Sequence, residues 1–147
     1  MKNQMEITFF SLPENEAFSR MVISAFFVRA NPTLSLISEI RTAVSEAVTN
    51  AIVHAYGEKA DGRIILRASI ENNYAEIEVE DFGCGIENVE QAMKPFFTTQ
   101  PEKERSGMGF SLMLSFMDGV KVISHPGRGT HVIMQKRFSE ADSSDAF

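Results

Sequence analysis

Apolar residues recur along this chain with two different periods, and the changes of period mark its elements. Residues 5–10, Met-Glu-Ile-Thr-Phe-Phe, read as a short strand. Over 14–30 the period lengthens to that of a helix, with Phe18, Met21, Val22, Ala25 and Phe26 on one face and Ser11 or Asn15 as its cap. Asn31-Pro32-Thr33 is a break and a new start. The next helix is predicted over 33–56, stopped by Gly57. Its apolar stripe is Leu36, Ile40, Val44, Ala47, Val48, Ala51 and Ala55. Glu46, Asn50 and His54 fall four residues apart and form a second, polar stripe. At about 100° per residue the polar stripe lies roughly a quarter-turn from the apolar one, so it borders the core.

Two strand-like runs follow, 63–70 and 75–80, with a hairpin turn predicted at 71–74. In the second run Ile77 and Val79 alternate with Glu76, Glu78 and Glu80, the pattern of a half-buried strand. Residues 82–106 contain Pro95, Pro101 and several charges and read as one long loop. Loops of that length in a compact domain are usually functional, often lids. A helix is predicted over 107–117, and two last strands over 119–124 and 130–136. The domain is expected to span 1–137, with a lid at about 83–106 and a polar, disordered tail over 138–147. No repeat or linker is visible.

The length of 147 residues suits one domain with a real core. A net charge of −6 argues against a nucleic-acid-binding module, which presents a basic face to phosphates. The single cysteine, Cys84, precludes a disulfide framework within the chain and points to a reducing compartment. No apolar run is long enough to cross a bilayer, and the N-terminus has no signal-peptide core. The expectation is a soluble cytoplasmic protein with no membrane partner.

Four polar segments carry the chemistry. Taken alone, Glu46, Asn50 and His54 read first as a solvated helix stripe, since such stripes are common. An asparagine carbonyl also suits a magnesium ion that keeps most of its water and takes few protein ligands. A glutamate one turn earlier suits the polarising of a hydroxyl for attack on a γ-phosphate. Asp81, Gly83 and Gly85 read either as an ordinary strand-ending turn or as an acid for an exocyclic base amine, with glycines admitting a flat ring. Ser106-Gly107-Met108-Gly109 opens a helix, where freed backbone amides and the preceding Arg105 suit phosphates. Gly127-Arg-Gly-Thr130 is a hairpin turn whose threonine is placed to support Asp81 or the base. No Walker-type Gly-x4-Gly-Lys loop is present. Asp81-Phe-Gly83 spells a kinase metal-binding triplet, but the chain lacks the other kinase motifs and the length for that fold. His125 and His131 have no partners at metal-ligand spacing and read as structural.

In this order the segments resemble the ATPase superfamily shared by DNA gyrase, Hsp90, histidine kinases and MutL. The resemblance runs through Glu46-Ala-Val-Thr-Asn50-Ala-Ile-Val-His54, Asp81-Phe-Gly-Cys-Gly85-Ile, Pro95-Phe-Phe-Thr98-Thr99, Ser106-Gly-Met-Gly109 and Gly127-Arg-Gly-Thr130. Within that group the chain resembles the bacterial anti-sigma factors with serine kinase activity, above all those of sporulation, the anti-sigma F type. The general-stress anti-sigma B kinases are the alternative. A histidine kinase ATPase domain is less well matched, because no helix pair with a phosphoacceptor histidine precedes the first motif.

The resemblance implies an α/β fold of Bergerat type, a two-layer sandwich with a mixed, mostly antiparallel sheet and helices on one face. It implies ATP and Mg2+ as cofactors, a homodimer, a sigma factor as bound partner and an anti-anti-sigma protein as serine substrate. Glu46 would be the catalytic base and Asn50 the magnesium ligand. Asp81 would recognise adenine with support from Thr130. Gly83, Gly85, Gly107 and Gly109 would shape the pocket, with His54, Ser106 and Met108 beside the nucleotide. Thr98 and Thr99 would belong to the lid, and Arg105 would touch the terminal phosphate. Arg20, the only basic residue of the first helix before Arg29, is expected to contact partner proteins.

Overall fold

The computed structural model describes residues 1–94 and 109–138. Five strands form one sheet: β1 (Asn3–Phe10), β2 (Arg63–Glu71), β3 (Tyr74–Asp81), β4 (Gly119–His125) and β5 (Gly129–Arg137). Their order is β1-β2-β3-β5-β4. All four pairings are antiparallel, so the described sheet has no parallel pair where a mixed sheet was expected. The helices are α1 (Asn15–Phe27), α2 (Leu34–Asn50), the four-residue α3 (Val89–Ala92) and α4 (Gly109–Phe116). The architecture is the expected α/β sandwich.

Alternation along the strands sends one set of side chains into the core and the other to the open face. Ile64, Leu66 and Ala68 of β2, Ala75, Ile77 and Val79 of β3, and Val132 and Met134 of β5 point inward and are buried. On the open face Arg67 bridges Glu6 (2.7 Å) and Glu80 (2.9 Å), and His131 meets Glu78 at 2.5 Å. The β2–β3 turn places Asn72 and Asn73 at φ 52° and 61°, the pair of left-handed residues a two-residue hairpin requires.

Helix α2 lies against the core side of the sheet, between α1 and α4. Thr33 caps it, its Oγ1 accepting the Leu36 N–H at 3.0 Å. Its buried face is Leu36, Ile37, Ile40, Ala43, Val44, Ala47 and Val48. The α geometry ends at Asn50, short of the predicted 56. Ala51–Ala55 form a π turn, in which the Tyr56 N–H donates to the Ala51 carbonyl at 3.1 Å. The four-residue polar stripe is therefore interrupted between Asn50 and His54.

Helix α1 buries a different face from the one its apolar residues predicted. Glu16, Ser19, Ile23 and Phe27 are inside, whereas Phe18 and Met21 are 41% and 68% exposed. The reason is polar satisfaction. The Glu16 carboxylate accepts the Ser45 hydroxyl of α2 and an Arg20 N–H (3.2 Å), and Ser19 Oγ donates to the Glu16 carbonyl at 2.6 Å. Once its hydrogen bonds are made, a buried carboxylate is tolerated. Phe27 then packs on Phe138, ring centroids 5.6 Å apart. Phe138 is buried and donates its N–H to the Asn73 carbonyl at 2.7 Å. Phe138, the first residue of the expected tail, is thus part of the core; residues 139–147 lie outside the described residues.

Candidate functional site

A cavity of about 560 Å³ opens between the end of α2, the π turn, the loop after β3, α3, the start of α4 and the β4–β5 turn. That volume suits a small-molecule ligand. Asn50, His54, Asp81, Gly85, Gly109 and Thr130 all line it.

One end is built on Asp81, the last residue of β3, opposite Thr130 of β5 in the strand register. Its Oδ1 accepts the Gly83 N–H at 3.0 Å and the Thr130 N–H at 3.2 Å. Both described bonds use the same oxygen, which leaves Oδ2 for a donor in the cavity. Burial pushes the carboxyl up to about 6, against the two backbone hydrogen bonds that pull it down; Glu80 adds a smaller upward push. Thr130 Oγ1 is 2.8 Å from Ser124 Oγ. Ser124 also donates to the Gly129 carbonyl (3.0 Å) and accepts the Ile86 N–H (2.8 Å). Ser124 therefore ties the two last strands to the loop leaving Asp81.

Close backbone packing explains the first glycines. A Cβ on Gly83 would fall on the Ala55 carbonyl oxygen of the π turn. The next residue, Cys84, donates its N–H to that same carbonyl at 3.0 Å. Gly83 is thus the seam between loop and π turn rather than a wall of the cavity. Tyr56 fastens the seam from the other side, its hydroxyl donating to the Arg63 carbonyl at 2.5 Å and accepting the Phe82 N–H at 2.7 Å. The Cys84 thiol is free and meets the His54 carbonyl at 3.3 Å.

The other end is built on α2 and the start of α4. The space beside the Gly109 α-carbon is bounded by Asn50 Oδ1 and Nδ2, each 3.4 Å from the position a Cβ would take, and by Glu46 Oε2 at 3.5 Å. An amide, a carboxylate and a glycine backbone thus share one corner. Two oxygen donors side by side there fit a hard cation that takes only one or two protein ligands. No group of three or more His, Cys, Asp or Glu able to hold a metal occurs among the described residues.

Arg20 stands apart from this cavity. It lines a smaller cleft between α1 and α2 with Ser38, Arg41, Thr42 and Ser45. Thr98, Thr99, Arg105, Ser106, Gly107 and Met108 lie outside the described residues. The sequence reading missed Ser124, Ile86, Asn88, Gln91 and Lys94; Ser124 supports the cavity and the other four line it. Only the position of residues 86–94 just after the first glycine pair could have pointed to that wall.

A profile of the histidine kinase-like ATPase domain matches residues 9–136. The anti-sigma F factor of Clostridium acetobutylicum is 49% identical over 139 residues, covering 95% of this chain and 96% of its own. That of Bacillus subtilis is 43% identical over 141 residues, covering 96% of this chain and 97% of its own. The chain belongs to the anti-sigma F factor family of histidine kinase-like ATPase domains. The Clostridium beijerinckii anti-sigma F factor is similar at 47% over 137 residues, covering 93% of this chain and 96% of its own. The fold agrees with the crystal structure of the RsbU and RsbW domains of a Mycobacterium tuberculosis protein, at TM-score 0.67 and 18% identity. That alignment covers 92% of this chain and 32% of the other, so the present chain spans about a third of it. Membership of an ATPase-domain family implies that the chain binds ATP. Among the described residues no helix is long and apolar enough to cross a membrane.

Proposed function

We propose that this member of the anti-sigma F family binds ATP with Mg2+ in the described cavity, phosphorylates a serine of an anti-anti-sigma protein, and sequesters a sigma factor of the sigma F type in the cytoplasm. The observation that supports the reading is that two polar clusters meet at one cavity, which we assign to the base and to the phosphates. At the first, Asp81 Oδ2 accepts the exocyclic amine of adenine, and Thr130 and Ser124 hold that carboxylate in place. At the second, Glu46, Asn50 and Gly109 share a corner.

Asn50 Oδ1 would hold the magnesium ion, which when bound would screen the phosphate charge. Glu46 accepts the proton of the substrate serine hydroxyl as its oxygen bonds to the γ-phosphorus and the bond to ADP breaks. Gly85 and His54 line the nucleotide, and Gly83 keeps the loop seated on the π turn. Thr98, Thr99, Arg105, Ser106, Gly107 and Met108 serve the lid and phosphates, as the resemblance implies. The test is Glu46→Gln. It should retain ATP binding by calorimetry while losing ~10²–10⁴-fold in transfer of labelled phosphate to the partner protein. Normal transfer would remove Glu46 from the role of base. An acid-stable labelled product supports serine over histidine as acceptor.

Partner binding is assigned to Arg20 and its cleft, and Arg20→Ala should weaken sigma capture in a pull-down. The homodimer is assigned to the β1 edge of the sheet and the α1 face beside it, where Phe18, whose ring meets that of Phe9 edge-on at 6.2 Å, and Met21 are exposed. There, among the described strands, β1 pairs only with β2. An unpaired strand edge beside exposed apolar side chains suits a second copy of the same chain.

A further inference from the structure

The described wall of the cavity is short of positive charge for the ligand proposed above. Asp81 and Glu87 line it, and the Glu46 carboxylate stands beside Gly109. Among the described lining residues Lys94 is the one lysine or arginine. A nucleotide polyphosphate carries several negative charges, and a magnesium ion offsets only two. Beside those carboxylates the remainder is repelled unless a cation meets it.

The fold fixes where Lys94 stands. Asn88 caps α3, its Oδ1 accepting the Gln91 N–H at 2.9 Å. Ala92 is buried beneath the helix. The Lys94 N–H donates to the Gln91 carbonyl at 3.1 Å. Pro95 follows in the sequence, which disfavours helical geometry at residue 94, and α3 has already ended at Ala92. In chain order this segment leaves the base end at Ile86, which is bonded to Ser124. Lys94 lines the same cavity as Gly109, the first residue of α4. An ammonium on a flexible four-carbon stem can reach an anion that other groups already hold in place.

We propose that Lys94 binds the polyphosphate of the nucleotide in this cavity, through a charge-assisted contact of its ammonium with phosphate oxygen. The assignment rests on the nucleotide reading, and it adds a cation to the wall formed by α3. The side chain is exposed, so the effect is modest. Lys94→Gln should weaken ADP and ATP by ~3–10-fold, measured by calorimetry or by displacement of a fluorescent nucleotide from the full chain. Adenosine, which has no phosphate, should bind both proteins equally. Lys94→Arg should keep most of the affinity for ADP. The gap between Lys94→Gln and the unsubstituted protein should narrow as salt rises. ADP affinity within about twofold of the unsubstituted protein would overturn the assignment. So would an equal loss for adenosine, which would point to a disturbed α3. If the unsubstituted chain bound no ADP at all, the nucleotide reading itself would fail, and Lys94's role with it.

Discussion

Asp81→Asn separates what this side chain does for the ligand from what it costs the fold. Folding raises the carboxyl from 3.8 to about 6, mainly through burial. Below about pH 4 the group is protonated in both folded and unfolded chains and costs nothing. Between about 4 and 6 the folded protein retains a proton that the unfolded chain has released. Above about 6 the ionised carboxylate sits buried at full cost, ~3 kcal/mol for a rise of this size. Stability due to this group therefore falls as pH rises through that window. Asparagine is neutral at every pH and keeps an oxygen where Oδ1 accepts the Gly83 and Thr130 N–H groups. The ligand-free Asn variant should thus be up to ~3 kcal/mol more stable near pH 7.5, raising the melting temperature by roughly 6–12 °C for a chain of this size. Near pH 3.8 the two proteins should melt together. Asparagine also puts an N–H donor where Oδ2 would accept the base amine, so ATP affinity should fall by ~10–100-fold. Thermal melts across pH 3.5–8, paired with ATP calorimetry, make the measurement. An Asn variant no more stable at pH 7.5, or equally stabilised at both ends of the range, would refute the charge-burial reasoning; unchanged ATP affinity would refute the role at the base.

Three further outcomes are expected. Gly83→Ala should destabilise by ~1–3 kcal/mol in urea titration, because its methyl would collide with the Ala55 carbonyl and part the loop from the π turn. Ser124→Ala leaves the Ile86 N–H and the Thr130 hydroxyl without their partner and should cost ~1–3 kcal/mol, with weaker nucleotide binding by calorimetry. Met21→Asp places a charge on the exposed α1 face that Met21 shares with Phe18 and should shift sedimentation toward monomer with little change in melting temperature; an unaltered dimer would move the interface elsewhere.

The strands and α2 were legible because alternation and helical spacing are direct consequences of a one-sided core. The turn at 72–73 was legible because paired asparagines tolerate left-handed backbone. The face of α1 was not. Apolar periodicity ranks Phe18 and Met21 above Glu16, and a carboxylate satisfied by Ser45 of another helix leaves no local mark. The π turn was also hidden, since Glu46, Asn50 and His54 look continuous at α spacing although the backbone bonds change at residue 51. The convergence of Asn50, Asp81, Gly109 and Thr130 on one cavity was readable from ordered glycine motifs. Ser124 and Lys94 belong to no motif, and only the folded backbone brings them to it.

The π turn has a consequence for how this segment can vary. It holds one residue more than an α turn between bonded partners, and the Ala55 carbonyl meets Cys84 only in that register. Losing a single residue from Ala51–Ala55 would swing every later group by about 100° and carry that carbonyl away from its partner. Side-chain exchange here is a matter of fit, but the count of residues from Asn50 to Tyr56 is a geometric constant, so alignments should show gaps elsewhere and none within it.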